Sequence, residues 1–179
     1  DYSQEAYVFE KLETAYHFEN DGRGYRRQTG RCRVQSEAAL AALGQLVFAY
    51  NSATESMKIN YVRVIKKDGA VVNAGESAVQ DMTSPVARDA PVYSDLHEKH
   101  ITVPSLQPGE ILEYEIETDY REPLAPGQFW MDHVFQKNVI TLNETLVLDI
   151  PAGRTVKLKM EPAYAPKIAE ANGRKVYTW

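Results

Sequence analysis

The stretch Ile101–Tyr120, ITVPSLQPGEILEYEIETDY, constrains the fold more than any other. Leu112, Tyr114, Ile116 and Thr118 alternate there with Glu113, Glu115 and Glu117. Successive side chains of a strand point to opposite faces, so the pattern predicts a strand with one buried and one wet side. Pro108-Gly109 stands just before it. Proline presets φ at the second position of a turn, and glycine accepts the positive φ at the third. The stretch therefore reads as strand, tight turn, strand: a central hairpin beside which the rest of the chain is laid.

The same alternation recurs along the chain. In Ala6–Glu19, Val8, Leu12, Tyr16 and Phe18 share a face, and Asn20-Asp21-Gly22 then turns the chain into Arg23–Val34. Ser36 is positioned to cap one short helix over Glu37–Leu46, with Leu40, Leu43, Leu46 and Val47 as its apolar stripe. Met57–Lys66 is a strand, and Lys67-Asp68-Gly69 returns it into Ala70–Ala74. Pro85 and Pro91 break Ser77–Ser94, which reads as an irregular loop with one short strand at its start. His97–Val103 enters the central hairpin. Gln128–Lys137, Ile140–Ile150, Thr155–Glu161 and Arg174–Trp179 complete the strands, the last after an Asn172-Gly173 turn, while Ala163–Ala171 is a loop or a brief turn of helix. Strands at this spacing indicate an all-β, antiparallel β-sandwich with one short helix and room for an extended, curved larger sheet (supersandwich-like).

At 179 residues the chain suits a single domain over 1–179, with bulk enough for a core. Its 25 acidic against 20 basic side chains, net charge -5, argue against general nucleic-acid binding. The single cysteine excludes an internal disulfide framework and a multi-cysteine zinc site. No apolar run approaches the roughly 20 residues that span a bilayer, and no signal peptide is visible. A chain opening on Asp1 rather than methionine reads as a trimmed piece of a longer, multidomain protein, which leaves export open.

The candidate chemistry is sparse. His97 and His100 would share a face on a helix, but on a strand they point apart, so no metal site is assigned. Cys32 lies between Arg31 and Arg33, cations that favour a thiolate. On a strand, however, both arginines project away from the sulfur, and a buried, inert cysteine is the expected state. Arg23, Arg26, Arg27, Arg31 and Arg33 form the one basic cluster, read as a hairpin face balancing acidic neighbouring strands. Glu113, Glu115 and Glu117 are read as solubilising charges and edge protection, not as a catalytic pair facing across a cleft. Trp130, Phe129, Tyr120 and Tyr93 are the candidate lining of a ligand groove, set against a core role for the same aromatics. Asn143-Glu144-Thr145 matches the glycosylation acceptor pattern, which matters only in a eukaryotic secretory setting. No catalytic or cofactor-binding residue and no cofactor is assigned.

The order YVRVIKKDGAVV, a polar loop, ITVPSLQPGEILEYEIE, GQFWMDHVFQ and the closing GRKVYTW carries a resemblance. With Asp68-Gly69, Leu106, Pro108-Gly109-Glu110, Tyr114, Phe129, Phe135-Gln136, Pro151, Tyr177 and Trp179 in place, nearly the whole chain resembles the bacterial domain of unknown function that precedes transglutaminase-like domains. The resemblance implies an all-β accessory module, usually exported to the periplasm or secreted. Its partner would be a downstream papain-like domain in the same chain with a Cys–His–Asp triad. The sequence stops at Trp179 before any such domain, so no catalytic residue carries over. The architecture is also similar to the saddle-shaped β domain of some zinc aminopeptidases. The expected role is to scaffold, or present substrate to, the neighbouring enzyme domain; the alternative is a glycan- or peptide-binding module using the aromatic groove.

Overall fold

The computed structural model describes residues 2–90, 92 and 95–179. Its elements in chain order are β1 (Tyr7–Phe18), β2 (Gly24–Val34), α1 (Ala38–Leu43), β3 (Gln45–Asn51), β4 (Glu55–Ile65), β5 (Val71–Asn73), β6 (Val79–Thr83), α2 (Val86–Asp89), β7 (Leu96–Thr102), β8 (Ile111–Tyr120), β9 (Glu144–Pro151), β10 (Lys167–Ala171) and β11 (Arg174–Thr178). Eight strands form one sheet in the order β10-β11-β9-β1-β2-β8-β4-β5, and three form another in the order β3-β7-β6. This is a β-sandwich with a much larger first sheet. The pairing is antiparallel except between β1 and β9, which run parallel, so the large sheet is mixed rather than purely antiparallel.

The expected turns form where glycine supplies the needed backbone: Gly22 and Gly69 sit at φ +88° and +85° in the β1–β2 and β4–β5 hairpins. Gly109 also takes φ +85°, and Glu110 N–H donates to Gln107 C=O, so the Pro108-Gly109 turn is present. It does not close a hairpin. β7 pairs with β3 and β6, whereas β8 lies between β2 and β4 in the other sheet. The connection instead arches from one sheet to the other. Two groups anchor it: Leu106 is buried beneath it, and the buried Glu110 carboxylate accepts from Gln107 N–H at 2.9 Å and from Lys66.

Five further expectations are corrected. The helix is six residues long, starts after Glu37 without a side-chain cap from Ser36, and stops at Gly44; a second, four-residue turn of helix, α2, was not foreseen. Leu46 and Val47 belong to β3, where Leu46, Phe48 and Tyr50 alternate with period two. A bulge between Ile59 and Tyr61 exchanges the faces of β4, so Ile59, Val62 and Val64 all turn inward. Lys167–Ala171, expected as loop or helix, is the edge strand β10. Finally, Gln128–Lys137 and Thr155–Glu161 are not strands. Residues 128–136 do alternate between exposed and half-buried, but this extended chain joins no ladder.

The core follows this division. One cluster centres on Cys32, Val34, Val62, Val64, Leu112 and Ile116 of the large sheet, covered by Ile101 of β7, Leu43 of α1, and Leu46 and Phe48 of β3. The Tyr114 ring lies over Gly30, where any Cβ would overlap it. A second cluster holds Tyr16, Phe18, Leu146, Leu148, Ile150 and Tyr177, covered by Phe129, Met131, Phe135 and Val156 of the irregular segments.

Candidate functional site

Both clusters lie on the inner side of the large sheet, and the outer side is open. There Arg27, Arg31 and Arg33 of the basic cluster meet the glutamates, whereas Arg26 of that cluster falls on the inner side, opposite Tyr16 and Thr118. Arg27 donates to Glu117 at 2.6 Å, Arg31 to Glu10 at 2.9 Å and to Glu113, and Arg63 pairs with Glu113 at 2.7 Å. The expected balance of hairpin arginines against acidic strands is therefore present. The glutamates differ from the expectation in one respect: β8 is central, so they protect no edge, and Glu113 is only 13% exposed. Burial alone would raise the Glu113 carboxyl pKa. Hydrogen bonds from Arg63 and Arg31 outweigh that and hold it below its usual range. Further along the same face, the two ring nitrogens of His17 stand 2.7 Å from Asp149 Oδ2 and Glu19 Oε1, and Arg174 donates to Asp149 at 2.9 Å.

The small sheet carries a further group of titratable side chains, gathered on Asp81. Tyr50 of β3 and Lys99 of β7 donate to Asp81 Oδ2 at 2.7 and 2.8 Å, and His97 Nδ1 lies 3.1 Å from Oδ1. Burial opposes ionisation of Asp81, but the bonds from Lys99, Tyr50 and His97 together pull its pKa down to about 2. Burial, then the bond to Asp81, pushes the Tyr50 phenol up to about 12. The Asp81 carboxylate is thus held ionised and the Tyr50 phenol protonated, which suits bracing three strands better than moving protons. As expected of a strand, His97 and His100 point apart: His100 meets Glu98 at 2.9 Å, not the His97 group. Cys32 is wholly buried, and burial foremost pushes its thiol up to about 12, as expected of an inert cysteine. An open depression of about 610 Å³ lies between Lys66, Lys67, Asp68 and the Gln107–Pro108 turn, with the Lys66–Glu110 pair in its wall.

The proposed groove residues separate. Phe129 and Tyr120 both stack on Phe18, with centroids 4.3 and 5.4 Å away, within the second core cluster. Trp130, one residue on, faces the other way and is 60% exposed. Tyr93 lies outside the described residues. What period-two reading did not pick out is the outer side of the irregular cover. Trp130 and Val134 face solvent from 128–136, Val134 at 74%; Leu124 just before this stretch and Leu158 and Met160 of the later irregular segment are exposed as well, as is Ile168 of β10. Arg154 fastens the two segments of this cover, donating to Gly127 C=O at 2.7 Å and lying over the Phe129 ring.

A family model described as a Domain of Unknown Function with solved-structure structure (DUF3857) matches residues 20–179. No curated protein matches the chain. Among solved structures, a putative protease from Parabacteroides distasonis ATCC 8503 is similar over 97% of this chain at 19% identity, with a TM-score of 0.83. The chain spans 35% of that protein. An M1 zinc metallopeptidase from Deinococcus radiodurans is similar at 13% identity over 98% of this chain and 39% of its own, with a TM-score of 0.46.

Proposed function

The chain belongs to the family of the Domain of Unknown Function DUF3857, and from that membership we propose a non-catalytic accessory domain that docks against a neighbouring domain of the same polypeptide and orients it. The neighbour is a transglutaminase-like domain with papain-like chemistry, and the assembly works outside the cytoplasm, in the periplasm or beyond. One observation carries this reading: the irregular cover turns Trp130, Val134 and Leu124 outward while burying their neighbours inward. Large apolar side chains gathered on one exposed element mark interaction surfaces. The choice of occupant is supported by length. The Parabacteroides distasonis protein continues well beyond the third of it that this chain matches, and it is named for a protease activity that the buried thiol of Cys32 is ill suited to supply here.

Hydrogen exchange tests the proposal. Amides of 124–136 and 158–168 should exchange markedly more slowly in the full-length polypeptide than in the 179-residue chain, while those of β4 and β8 stay unchanged. Equal exchange in the two forms would defeat the docking role.

A further inference from the structure

Among the described residues, the two sheets end in four edge strands: β10 and β5 flank the large sheet, β3 and β6 the small one. An edge strand presents unpaired backbone groups, and folded proteins guard such edges with shortness, charge, proline or a bulge. Three of these edges are guarded. β5 has three residues, β6 has five with the Asp81 carboxylate at its centre, and β10 has five that include Lys167 and Glu170. β3 is the exception. Its seven residues, QLVFAYN, carry no charge and no proline, and they pair with β7 from Gln45 to Asn51 without a bulge.

The ladder fixes which backbone groups of β3 are spare. Gly44 C=O accepts from Val103 N–H, and Ser52 N–H donates to Asp95 C=O, both continuing the register with β7. Bonded pairs fall on alternate residues of an antiparallel ladder, so Leu46, Phe48 and Tyr50 also bond to β7. Gln45, Val47, Ala49 and Asn51 therefore direct their N–H and C=O groups the other way. Asn51 bears this out: its N–H donates to Glu55 Oε2 at 2.9 Å and its C=O accepts from Thr54 N–H, both outside the ladder. The N–H and C=O groups of Gln45, Val47 and Ala49 bond to no described residue. Their side chains are exposed, Val47 at 48%, while Leu46 and Phe48 turn in against the first core cluster.

We propose that the open edge of β3 binds an extended, uncharged peptide, which adds to the small sheet as a fourth strand. In strand addition the main-chain bonds supply affinity and alternate side chains supply selectivity. Val47 and Ala49 stand about 7 Å apart at strand rise, each with one donor and one acceptor, a spacing that every second residue of an antiparallel strand meets. The intervening residues of the peptide share the inner face with Leu46 and Phe48, so apolar side chains there extend the core. A second copy of the chain fits the edge less well. One seven-residue strand pair falls short of the roughly 1,200–2,000 Å² that stable protein interfaces bury. Two chains of net charge -5 also repel each other. The site uses the small sheet and not the irregular cover, so it goes beyond the docking role and stands without it.

The experiment is an NMR titration of the 179-residue chain that follows its backbone amides. The probe is the capped heptapeptide acetyl-Thr-Val-Thr-Val-Thr-Val-Thr-amide, and its control carries N-methyl groups on the two inner threonines. The Val47 and Ala49 amides should shift saturably below about 5 mM, the range of weak single-site binding. Those of 128–136 should stay in place, and the methylated control should bind many-fold more weakly. Ala49→Pro removes one outward N–H and spares the ladder to β7, so it should abolish binding in a folded protein. Val47→Lys changes only an exposed side chain and guards the edge with a charge; it should weaken binding several-fold. Unmoved Val47 and Ala49 amides would overturn the proposal, as would equal binding of the methylated control or undiminished binding by Val47→Lys. So would a dimer in sedimentation equilibrium that Val47→Lys dissociates, which would give the edge to a second copy.

Discussion

The two halves of the inner face are covered in different ways. Over β2, β8 and β4 the cover is a three-stranded sheet with continuous backbone ladders between β3, β7 and β6. Over β1, β9 and β11 it is extended chain whose side chains alternate like a strand's but whose backbone pairs with nothing regular. Side-chain hooks hold it instead. Phe129 stacks on Phe18, Tyr16 Oη donates to Asp132 C=O at 3.3 Å, Gln136 N–H bonds Glu144, and Arg154 reaches Gly127. Alternation in a sequence thus reports which side of a segment is buried. It does not report whether a ladder partner lies alongside.

The first way to break this comparison is to cut one anchor from each cover. Ile101 of β7 is fully buried, so Ile101→Ala should cost about 2–5 kcal/mol, read as a fall in the urea midpoint. Phe129 is only half-buried. Phe129→Ala should cost about 2 kcal/mol, less than the roughly 3–5 of a fully buried ring, because part of its surface already meets water. If Phe129→Ala proves the more damaging, the irregular segment is as much a part of the folded core as the small sheet.

The comparison also shows what was legible beforehand. Where a strand makes its partner through a tight turn, local chemistry sufficed: Asp21-Gly22, Asp68-Gly69 and Asn172-Gly173 each close a hairpin between sequence neighbours. The inward Tyr114 and Ile116 and the outward glutamates of β8 were equally readable, since period two fixes the face. Three things were not. Pro108-Gly109 makes the same turn whether the chain folds back into one sheet or arches to another, and only the burial of Leu106 and Glu110 decides. A bulge such as that after Ile59 changes faces without a marker residue. The parallel β1–β9 pair joins residues more than a hundred positions apart, which no local pattern encodes. The candidate site was less visible still. The basic cluster was noticed, but nothing in GYRRQTGRCRV separates Arg26, facing in, from Arg27, paired with Glu117, except strand parity taken together with the register.

Acid sharpens the comparison. The Asp81 carboxylate ties β3, β6 and β7 together through Tyr50, His97 and Lys99, whereas Arg154 in the second cover binds a carbonyl that does not titrate in this range. The Asp81 pKa is lowered on folding from 3.8 to about 2. Its contribution is therefore fully present above pH 3.8 and is lost as the pH falls through about 2. Asp81 is partly exposed, so the contribution should stay under about 1 kcal/mol, as for solvent-screened ion pairs. Asp81→Asn should unfold at lower urea than the parent at pH 6, with the gap closing near pH 2. A gap that persists at pH 2 would mean that the asparagine disrupts packing, and that the charge does not brace the small sheet.

The smallest effect is expected on the outer face, and its smallness bears on where the two halves differ. Glu115 accepts from Asn60 at 2.8 Å and lies 3.9 Å from Arg27, within the network that runs across β2, β8 and β4. If that network held the first half together, the contrast between the covers would be secondary. Exposed ion pairs, however, gain little over hydration and are screened by salt. Glu115→Ala should then change stability by no more than about 0.5 kcal/mol. Tyr114→Ala, one residue earlier and facing in, should cost about 2 kcal/mol or more, since its ring is partly buried against the first core cluster. Urea titrations of the two variants, each at low and at high salt, make the measurement. Equal midpoints would mean that the register of β8 is shifted by one residue, exchanging its faces. A Glu115→Ala loss of several kcal/mol that disappears in high salt would assign the stability of this half to its outer charges, and the regular cover would then be the lesser of its two supports.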